Sequence, residues 1–244
     1  MRYITAVTLL ACLAAFVALS GSARAELIIT GIFDGPLDGG EPKVVELYAT
    51  SATDLSQYRP GAANNGGGTD GPESPLAGIA PAGSYIYVVD DNSDSLAGVE
   101  FNEYFGFTPT FFFDSNLGLN GGAAAINGDD AVELFFDPTG LFAGGETVVD
   151  VFGEISHTTG PGAWNYLDGW AYRKNGTGPD GSTFVLDNWS FSGVDVNDGK
   201  TTNVGPNAFP IGTYVIPEPS SIVLVAFMAL AVAGLGRRVS RCRS

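Results

Sequence analysis

The chain of 244 residues carries 27 acidic and 11 basic side chains and a formal net charge of −16 at neutral pH. All the acidic residues except Glu218 lie in segment 26–216, which has five basic side chains and a net charge of −21. Nucleic acid is therefore not an expected partner, because proteins bind phosphate backbones through lysine and arginine. The high negative charge is explained as a feature that keeps a secreted protein soluble. The alternative is that some carboxylates bind divalent cations.

The first 25 residues have the features of a secretory signal peptide. Arg2 supplies a positive charge, Ile4 to Leu19 is almost unbroken and apolar, and Ala23-Arg24-Ala25 has the small residues that signal peptidase requires. We therefore predict export, with a mature chain that begins at Glu26. A lipoprotein signal at Cys12 is the alternative, but only eight residues, 4 to 11, would separate it from the charged start.

Segment 26–216 has the pattern of short strands separated by Gly, Pro, Asn and Asp turns, without a long helical period. Roughly nine or ten strands of this kind indicate an all-β sandwich, and about 190 residues suffice for one such domain. Neither cysteine lies in it, so no disulfide is expected. The predicted strands are Glu26 to Phe33, Lys43 to Thr50, Ser84 to Asp90, Ala123 to Ile126, Asp130 to Phe136, Thr147 to Gly153, Trp164 to Lys174, Ser182 to Phe191 and Gly212 to Val215.

Two of these strands place a glutamate among apolar residues. Val45-Glu46-Leu47-Tyr48 recurs as Val132-Glu133-Leu134-Phe135, with the apolar residues in the same phase. In the first strand Val45 and Leu47 share one face, and Glu46 points to the other. We expect both segments to be core strands whose glutamates face solvent.

Two further segments interrupt the strand pattern. Arg59 to Gly83 is predicted to be a long loop, rich in glycine and proline, which is either a binding element or simply mobile. Phe101 to Phe113 is unusually aromatic. Such a run is typical of a core or of a cap over a sheet edge, and the alternative is a platform on which a ligand stacks.

Several of these segments together resemble the lamin-tail-type domain. The opening, Leu27 to Tyr48, joins a strand, a loop of glycine, proline and aspartate, and Val45-Glu46-Leu47-Tyr48. Asn127 to Leu134, Val148 to Gly153 and Trp170-Ala171-Tyr172-Arg173 are similar to the later strands of that family. The resemblance implies an immunoglobulin-like β-sandwich over residues 26–216 and no catalytic residues. In bacteria such domains accompany secreted nucleases and surface proteins, while the long loop and the aromatic insert depart from the common form.

The sequence offers no familiar catalytic constellation, so we predict that the protein is not an enzyme. His157 is the one histidine, and a lone loop histidine is usually a solvated turn residue. With no cysteine nearby, a zinc site of the usual ligands is not expected. The sequence also lacks a Gly-x-Ser-x-Gly elbow and a glycine-rich phosphate loop with a lysine.

Acidic clusters are the candidates for a metal site. Asp90, Asp91 and Asp94 form one cluster, Asp129 and Asp130 a second, and Asp195-Val196-Asn197-Asp198-Gly199 looks like a cation loop. Calcium would be the favoured ion, but none of the clusters has EF-hand spacing, and turn chemistry explains them without a cofactor. We also expect Arg173 to pair with Asp129 or Asp130 beneath the sheet.

The last 28 residues, Pro217 to Ser244, have three successive parts. Pro217-Glu218-Pro219 keeps the backbone out of a helix. Ile222 to Gly236 is uncharged and favours a helix in lipid, but its 15 residues span roughly 22 Å, less than a bilayer core of about 30 Å. Such a short anchor suits a tail that is removed. Four arginines follow and would stay in the cytoplasm: Arg237, Arg238, Arg241 and Arg243.

These three parts, in this order, resemble the PEP-CTERM sorting signal of Gram-negative bacteria. The resemblance implies transient anchoring of residues 217–244 in the inner membrane and cleavage near Pro217 by an exosortase. Release or attachment at the cell surface follows. An ordinary C-terminal membrane anchor is the alternative.

The sequence therefore predicts an exported surface or matrix component with an adhesive or structural role. Its expected partners, apart from signal peptidase and the exosortase, are exopolysaccharide or surface proteins. Two alternatives remain open. One is a secreted hydrolase with a carboxylate pair, such as a glycosidase, and the other is an accessory domain to a secreted nuclease made as a separate chain.

Overall fold

The computed structural model describes residues 25–90, 99–113, 122–158 and 162–217. Among these residues no helix is both long enough and apolar enough to cross a bilayer. Several residues named above lie outside the described part: Ala23, Asp91, Asp94, Glu218, Pro219, Arg237 and Arg238. The predicted signal peptide and C-terminal helix lie outside it as well.

The described residues form mostly β-structure. The strands are β1 (Leu27–Phe33), β2 (Lys43–Ala49), β3 (Thr53–Asp54), β4 (Tyr58–Ala63), β5 (Ile79–Ala80), β6 (Tyr85–Asp90), β7 (Phe111–Phe113), β8 (Ala131–Phe136), β9 (Thr147–Phe152), β10 (Trp170–Arg173) and β11 (Trp189–Phe191). An α-helix, α1 (Val99–Phe105), lies between β6 and β7. Short 3₁₀ turns occupy Leu55–Gln57, Asn64–Gly66, Gly122–Ala124 and Leu186–Asn188.

The strands form two main sheets. A six-stranded sheet has the order β11-β10-β1-β2-β6-β7, a three-stranded sheet has the order β4-β8-β9, and β3 pairs with β5. All pairs are antiparallel except β6 with β7. This arrangement is consistent with the predicted all-β sandwich.

The two main sheets share one inner core. Leu27, Ile29 and Leu47 from the six-stranded sheet lie in the same buried cluster as Val132, Leu134 and Phe152 from the three-stranded sheet. Phe152 is fully buried, and its ring contacts those of five aromatic residues: Trp164, Tyr166, Phe184, Trp189 and Phe191. Apolar burial on both facing surfaces holds the sheets together.

A second, aromatic layer covers the outer face of the six-stranded sheet. Phe33, Val44 and Tyr172 from the sheet pack there with Phe101 and Tyr104 of α1. A C-terminal segment, Phe209 to Pro217, completes the cover through Phe209 and Tyr214, which are both buried. We call this segment the strap. The aromatic run therefore forms core and a cap over the sheet, as predicted.

This outer layer corrects the prediction for Glu46. Val45 and Leu47 do face the inner core and Glu46 the opposite side, as the alternation predicts, but Glu46 has no exposed surface. Glu133 of β8 is also buried, at 3% exposure, and the pKa of its carboxyl is raised by that burial. The expectation that both glutamates face solvent was wrong. The aromatic layer covers Glu46, whereas Glu133 lies against Thr69 and Asp70, and the alternation cannot show what covers a face.

Two predicted strands and one predicted loop were also wrong. Gly122–Ala124 is a 3₁₀ turn, and residues 212–215 belong to the strap and pair with no strand. The segment predicted as a loop from 59 to 83 contains most of β4, which runs through Pro60 and pairs with β8. Because β4 is an edge strand, Pro60 can be accommodated there despite its missing N–H.

Candidate functional site

Arg173 forms a buried ion-pair network between the two sheets. Its Nη2 donates to both carboxylate oxygens of Asp150 at 2.8 Å, and its Nη1 donates to Asp180 at 2.7 Å. The side chains of Arg173 and Asp150 have no exposed surface. The predicted partners, Asp129 and Asp130, were wrong, because Asp150 of β9 faces the core between the sheets, where β10 places Arg173.

The network also provides hydrogen-bond partners for backbone groups of β1. β1 has a register shift between Ile29 and Gly31. At this irregularity the Ile29 N–H donates to Asp150 Oδ2 at 2.9 Å, and the Ile29 carbonyl accepts from Arg173 Nε at 2.6 Å. The ion pair therefore takes the place of a strand partner at the bulge, which is a structural role.

The predicted metal candidates do not come together in the described part of the chain. Asp90 is buried at the end of β6, opposite Lys43 in the register of β2. Asp130 is buried and accepts from the N–H groups of Asn65 and Asn127 at 2.6 and 2.7 Å. Asp129, its exposed neighbour, takes no part in these bonds. The carboxylate of Asp130 therefore serves to fix two turns.

The structure brings a different acidic set together. Asp168, Asp195 and Asp198 each place a carboxylate oxygen within 4.8 Å of the others, and no other group of three potential metal ligands was found among the described residues. Burial raises the pKa of Asp168, and the neighbouring charges of Asp198 and Asp195 raise it further. Three carboxylates could hold a divalent cation, although calcium would need three to five more oxygens to reach its usual six to eight.

Sequence reasoning identified two members of this set but missed Asp168. Asp195 and Asp198 belong to the segment that resembled a cation loop, whereas Asp168 is distant in sequence. Two backbone bonds join them: the Asp195 N–H donates to the Leu167 carbonyl at 2.9 Å, and the Asn197 N–H donates to the Asp168 carbonyl at 3.1 Å. Asp168-Gly169 is a turn signal, which by itself does not predict this neighbour.

We expect millimolar calcium to shift the Tm by less than about 3 °C. For a body of this size, that shift corresponds to about 1 kcal/mol in the free energy of unfolding. If a dedicated site were present, calcium at ~100-fold excess over its Kd would instead add about 2.7 kcal/mol to the free energy of unfolding. Thermal melts with calcium and with magnesium measure the difference. Asp195→Asn should raise the Tm slightly without calcium, because it removes one like charge. A large calcium-specific rise that Asp195→Asn with Asp198→Asn abolishes would contradict the solubility interpretation of the charge.

The remaining candidates are His157 and one surface groove. His157 lies in a turn, where its Nδ1 is 3.0 Å from Glu154 Oε2, and its ring contacts Trp164. It is therefore partly packed against the body and not simply solvated. The groove has a volume of about 430 Å³, and Asp38, Glu100, Glu103 and Lys200 are among its lining residues.

The strap is bonded to the six-stranded sheet through the buried side chains of Glu46 and Tyr172. Glu46 Oε2 accepts from the Gly212 N–H at 2.6 Å, while its Oε1 accepts from the hydroxyls of Thr30 and Tyr172, both at 2.8 Å. The Tyr172 hydroxyl in turn accepts from the N–H groups of Thr213 and Tyr214 at 2.9 Å. Two side chains on inner strands of the six-stranded sheet thus fix three consecutive amides of the strap.

A turn after β10 holds the end of the strap. Asn175 Oδ1 accepts from the Val215 N–H at 2.9 Å, and the Gly176 N–H donates to the Val215 carbonyl at 3.0 Å. The Tyr214 hydroxyl donates to the Thr177 carbonyl at 2.7 Å. Gly176 has a positive φ of 76°, and a Cβ at this position would lie 2.9 Å from Pro217 Cδ. The turn therefore requires glycine where Pro217 passes.

No protein-family model, curated protein or solved structure significantly matches this chain.

Proposed function

We propose that this protein is an exported cell-surface or extracellular-matrix component with a structural or binding role, processed by an exosortase at its C-terminal sorting signal. The body, residues 26–216, would be an immunoglobulin-like sandwich of the lamin-tail type. Its partners would be exopolysaccharide or other surface proteins, and it would contact the inner membrane only until the tail is removed.

The main support for the proposal is that packed structure extends from one predicted cleavage site almost to the other. β1 starts at Leu27, one residue after the predicted mature start, and the Glu26 carbonyl accepts from the Thr50 N–H at 2.7 Å. At the other end the strap is bonded through Val215, two residues before the Pro-Glu-Pro motif. Cleavage at both sites would therefore leave the fold complete, as a sorting signal requires.

A non-enzymatic role is supported by the way the body uses its buried carboxylates. Asp150 is paired with Arg173, Glu46 holds the strap, and Asp130 fixes two turns. Asp34 accepts from Lys43 at 3.0 Å, and burial raises its pKa to about 6 despite that partner. A hydrolase would need an acid and a base free to act on a substrate, whereas these four groups are engaged in holding the fold.

The proposal predicts the mass of the mature protein. Intact-mass measurement of surface material should show a chain from Glu26 to near Pro217, because signal peptidase and the exosortase remove what lies outside. Replacing Arg237 and Arg238 with glutamine should cause the unprocessed form to accumulate, since the tail then loses positive charge that keeps it oriented. Recovery of mature surface protein that still carries Ile222 to Ser244 would contradict the proposal and favour an ordinary membrane anchor.

A further inference from the structure

We infer that the body contains a binding site for its own strap that protects the chain up to Val215 and confines proteolytic cleavage to bonds beyond it. The inference rests on the proposed function only for the identity of the natural peptidase. It adds a positioning role for Tyr172, Glu46 and Asn175, which would determine where the mature chain ends.

The backbone of the strap is bonded along most of its length. The N–H groups of residues 211–215 all donate: Ile211 to the Phe209 carbonyl, and the next four to Glu46, Tyr172, Tyr172 again and Asn175. The Tyr214 carbonyl accepts from the Tyr85 hydroxyl, and the Val215 carbonyl from the Gly176 N–H. Among the described residues, no hydrogen bond to Ile216 or Pro217 was found.

Burial also distinguishes the strap from the residues that follow it. The Tyr214 side chain is fully buried in the aromatic layer and its ring contacts Tyr48, whereas Val215 is 49% exposed and Pro217 is exposed. A peptidase binds its substrate as an extended strand through main-chain hydrogen bonds. It could bind residues 212–215 only after their present bonds opened and Tyr214 left the core, and regions with such contacts open rarely.

The chemistry of cleavage sets no further requirement on the body. In hydrolysis the peptide C–N bond breaks, and water supplies the hydroxyl of the new carboxyl group and the proton of the new amine. The body only decides which bonds are accessible. The hydrogen bonds end at Val215, and beyond it the partly buried side chain of Ile216 still packs against the aromatic layer. The protection therefore ends at Pro217, which is exposed and begins the Pro-Glu-Pro motif.

The test is limited digestion of the full chain, purified in detergent, with proteinase K. The wild-type body should be trimmed to ends downstream of Val215, within residues 217–221, and should then resist, as measured by intact mass. The bonds before Pro217 and Pro219 should be cut slowly, because proline lacks the N–H that a peptidase binds. Tyr172→Phe removes the hydroxyl that binds two strap amides and Glu46. It should add fragments ending between Phe209 and Val215, formed about tenfold faster than in the wild type, because such cleavage follows the population of the open form.

Tyr166→Phe is the matched control. The Tyr166 hydroxyl is also fully buried and donates to the Asp130 carbonyl at 2.8 Å, away from the strap. Its loss should leave the trimmed end unchanged. Asn175→Ala, at an exposed turn position, loses only the bond to Val215 and should expose the bonds near residue 215 in a folded body. Fragments that are the same for Tyr172→Phe and Tyr166→Phe, or wild-type ends upstream of residue 212, would overturn the inference.

The same digestion separates this inference from the proposed function. If surface material keeps its tail but proteinase K still stops downstream of Val215, the sorting proposal fails and the inference stands. If surface material ends near Pro217 but the digested wild type is ragged through the strap, the inference fails and the sorting proposal stands.

Discussion

Asp150→Ala is expected to lower the free energy of unfolding by about 3–5 kcal/mol, because it leaves the buried Arg173 guanidinium without its main partner. Asp180 would still bind Arg173, but only through Nη1. The N–H groups of Ile29 and Asp180 would also lose their acceptor. Denaturant unfolding at neutral pH measures the loss, which approaches the whole stability of many domains.

Two variants show whether the ion pair is the cause. Asp180→Ala should lower the free energy of unfolding clearly less than Asp150→Ala does, because Arg173 keeps both bonds to Asp150. The double variant Asp150→Leu with Arg173→Met removes both charges and should recover part of the loss. It should not recover all of it, since the two amides remain without an acceptor and Asp180 loses its bond from Arg173. Equal losses for Asp150→Ala and Asp180→Ala would show that the bonds between Arg173 and Asp150 are not the cause of the loss.

The second large effect is a dependence of stability on pH that comes from Glu46. Burial raises the pKa of Glu46 from 4.5 to about 7, although hydrogen bonds from Gly212, Thr30 and Tyr172 lower it. The folded body therefore binds this proton more tightly than the unfolded chain does. The resulting stabilisation is full below about pH 4.5 and is lost as the pH rises to about 7. A shift of this size corresponds to about 3 kcal/mol.

Glu46→Gln is expected to remove this contribution. Unfolding free energies measured between about pH 5 and pH 8 should fall less steeply with pH in the variant than in the wild type, by about 2.5 kcal/mol across the range. Glu103→Gln, on the exposed side of α1, is the control and should leave the slope unchanged. If the curves of Glu46→Gln and wild type run parallel, Glu46 does not titrate in this range in the folded body.

The β-rich fold was predictable because most strands show their periodicity locally. β1, β2, β6, β8 and β9 lie within the predicted segments to within a residue or two. β4 was missed because Pro60-Gly61 is a turn signal, and only its place at a sheet edge makes the strand acceptable. The burial of Glu46 and Glu133 was missed for a different reason, since alternation shows which residues share a face but not what covers that face.

The contacts that matter most for the candidate sites could not be predicted, because they join distant parts of the chain. Arg173 was recognised as a residue that needs an acidic partner, but 26 acids were available in segment 26–216 and only the fold selects Asp150. Residues 212–215 were predicted as the last strand of the domain. Their amides bind the side chains of Glu46, Tyr172 and Asn175 instead of a neighbouring strand. Local secondary-structure propensity does not predict bonds of this kind.

The anchoring of the strap also determines how the body would carry mechanical load. If the mature protein is held at its C-terminus, a pull on Pro217 reaches the six-stranded sheet through Tyr172 of β10, Glu46 of β2 and Tyr85 of β6. These are inner strands, each with a neighbour on both sides. The force is therefore distributed over several hydrogen bonds and strands. It does not act on a single edge strand of the sheet. A surface protein fastened in this way would resist tension at the point where it is tethered.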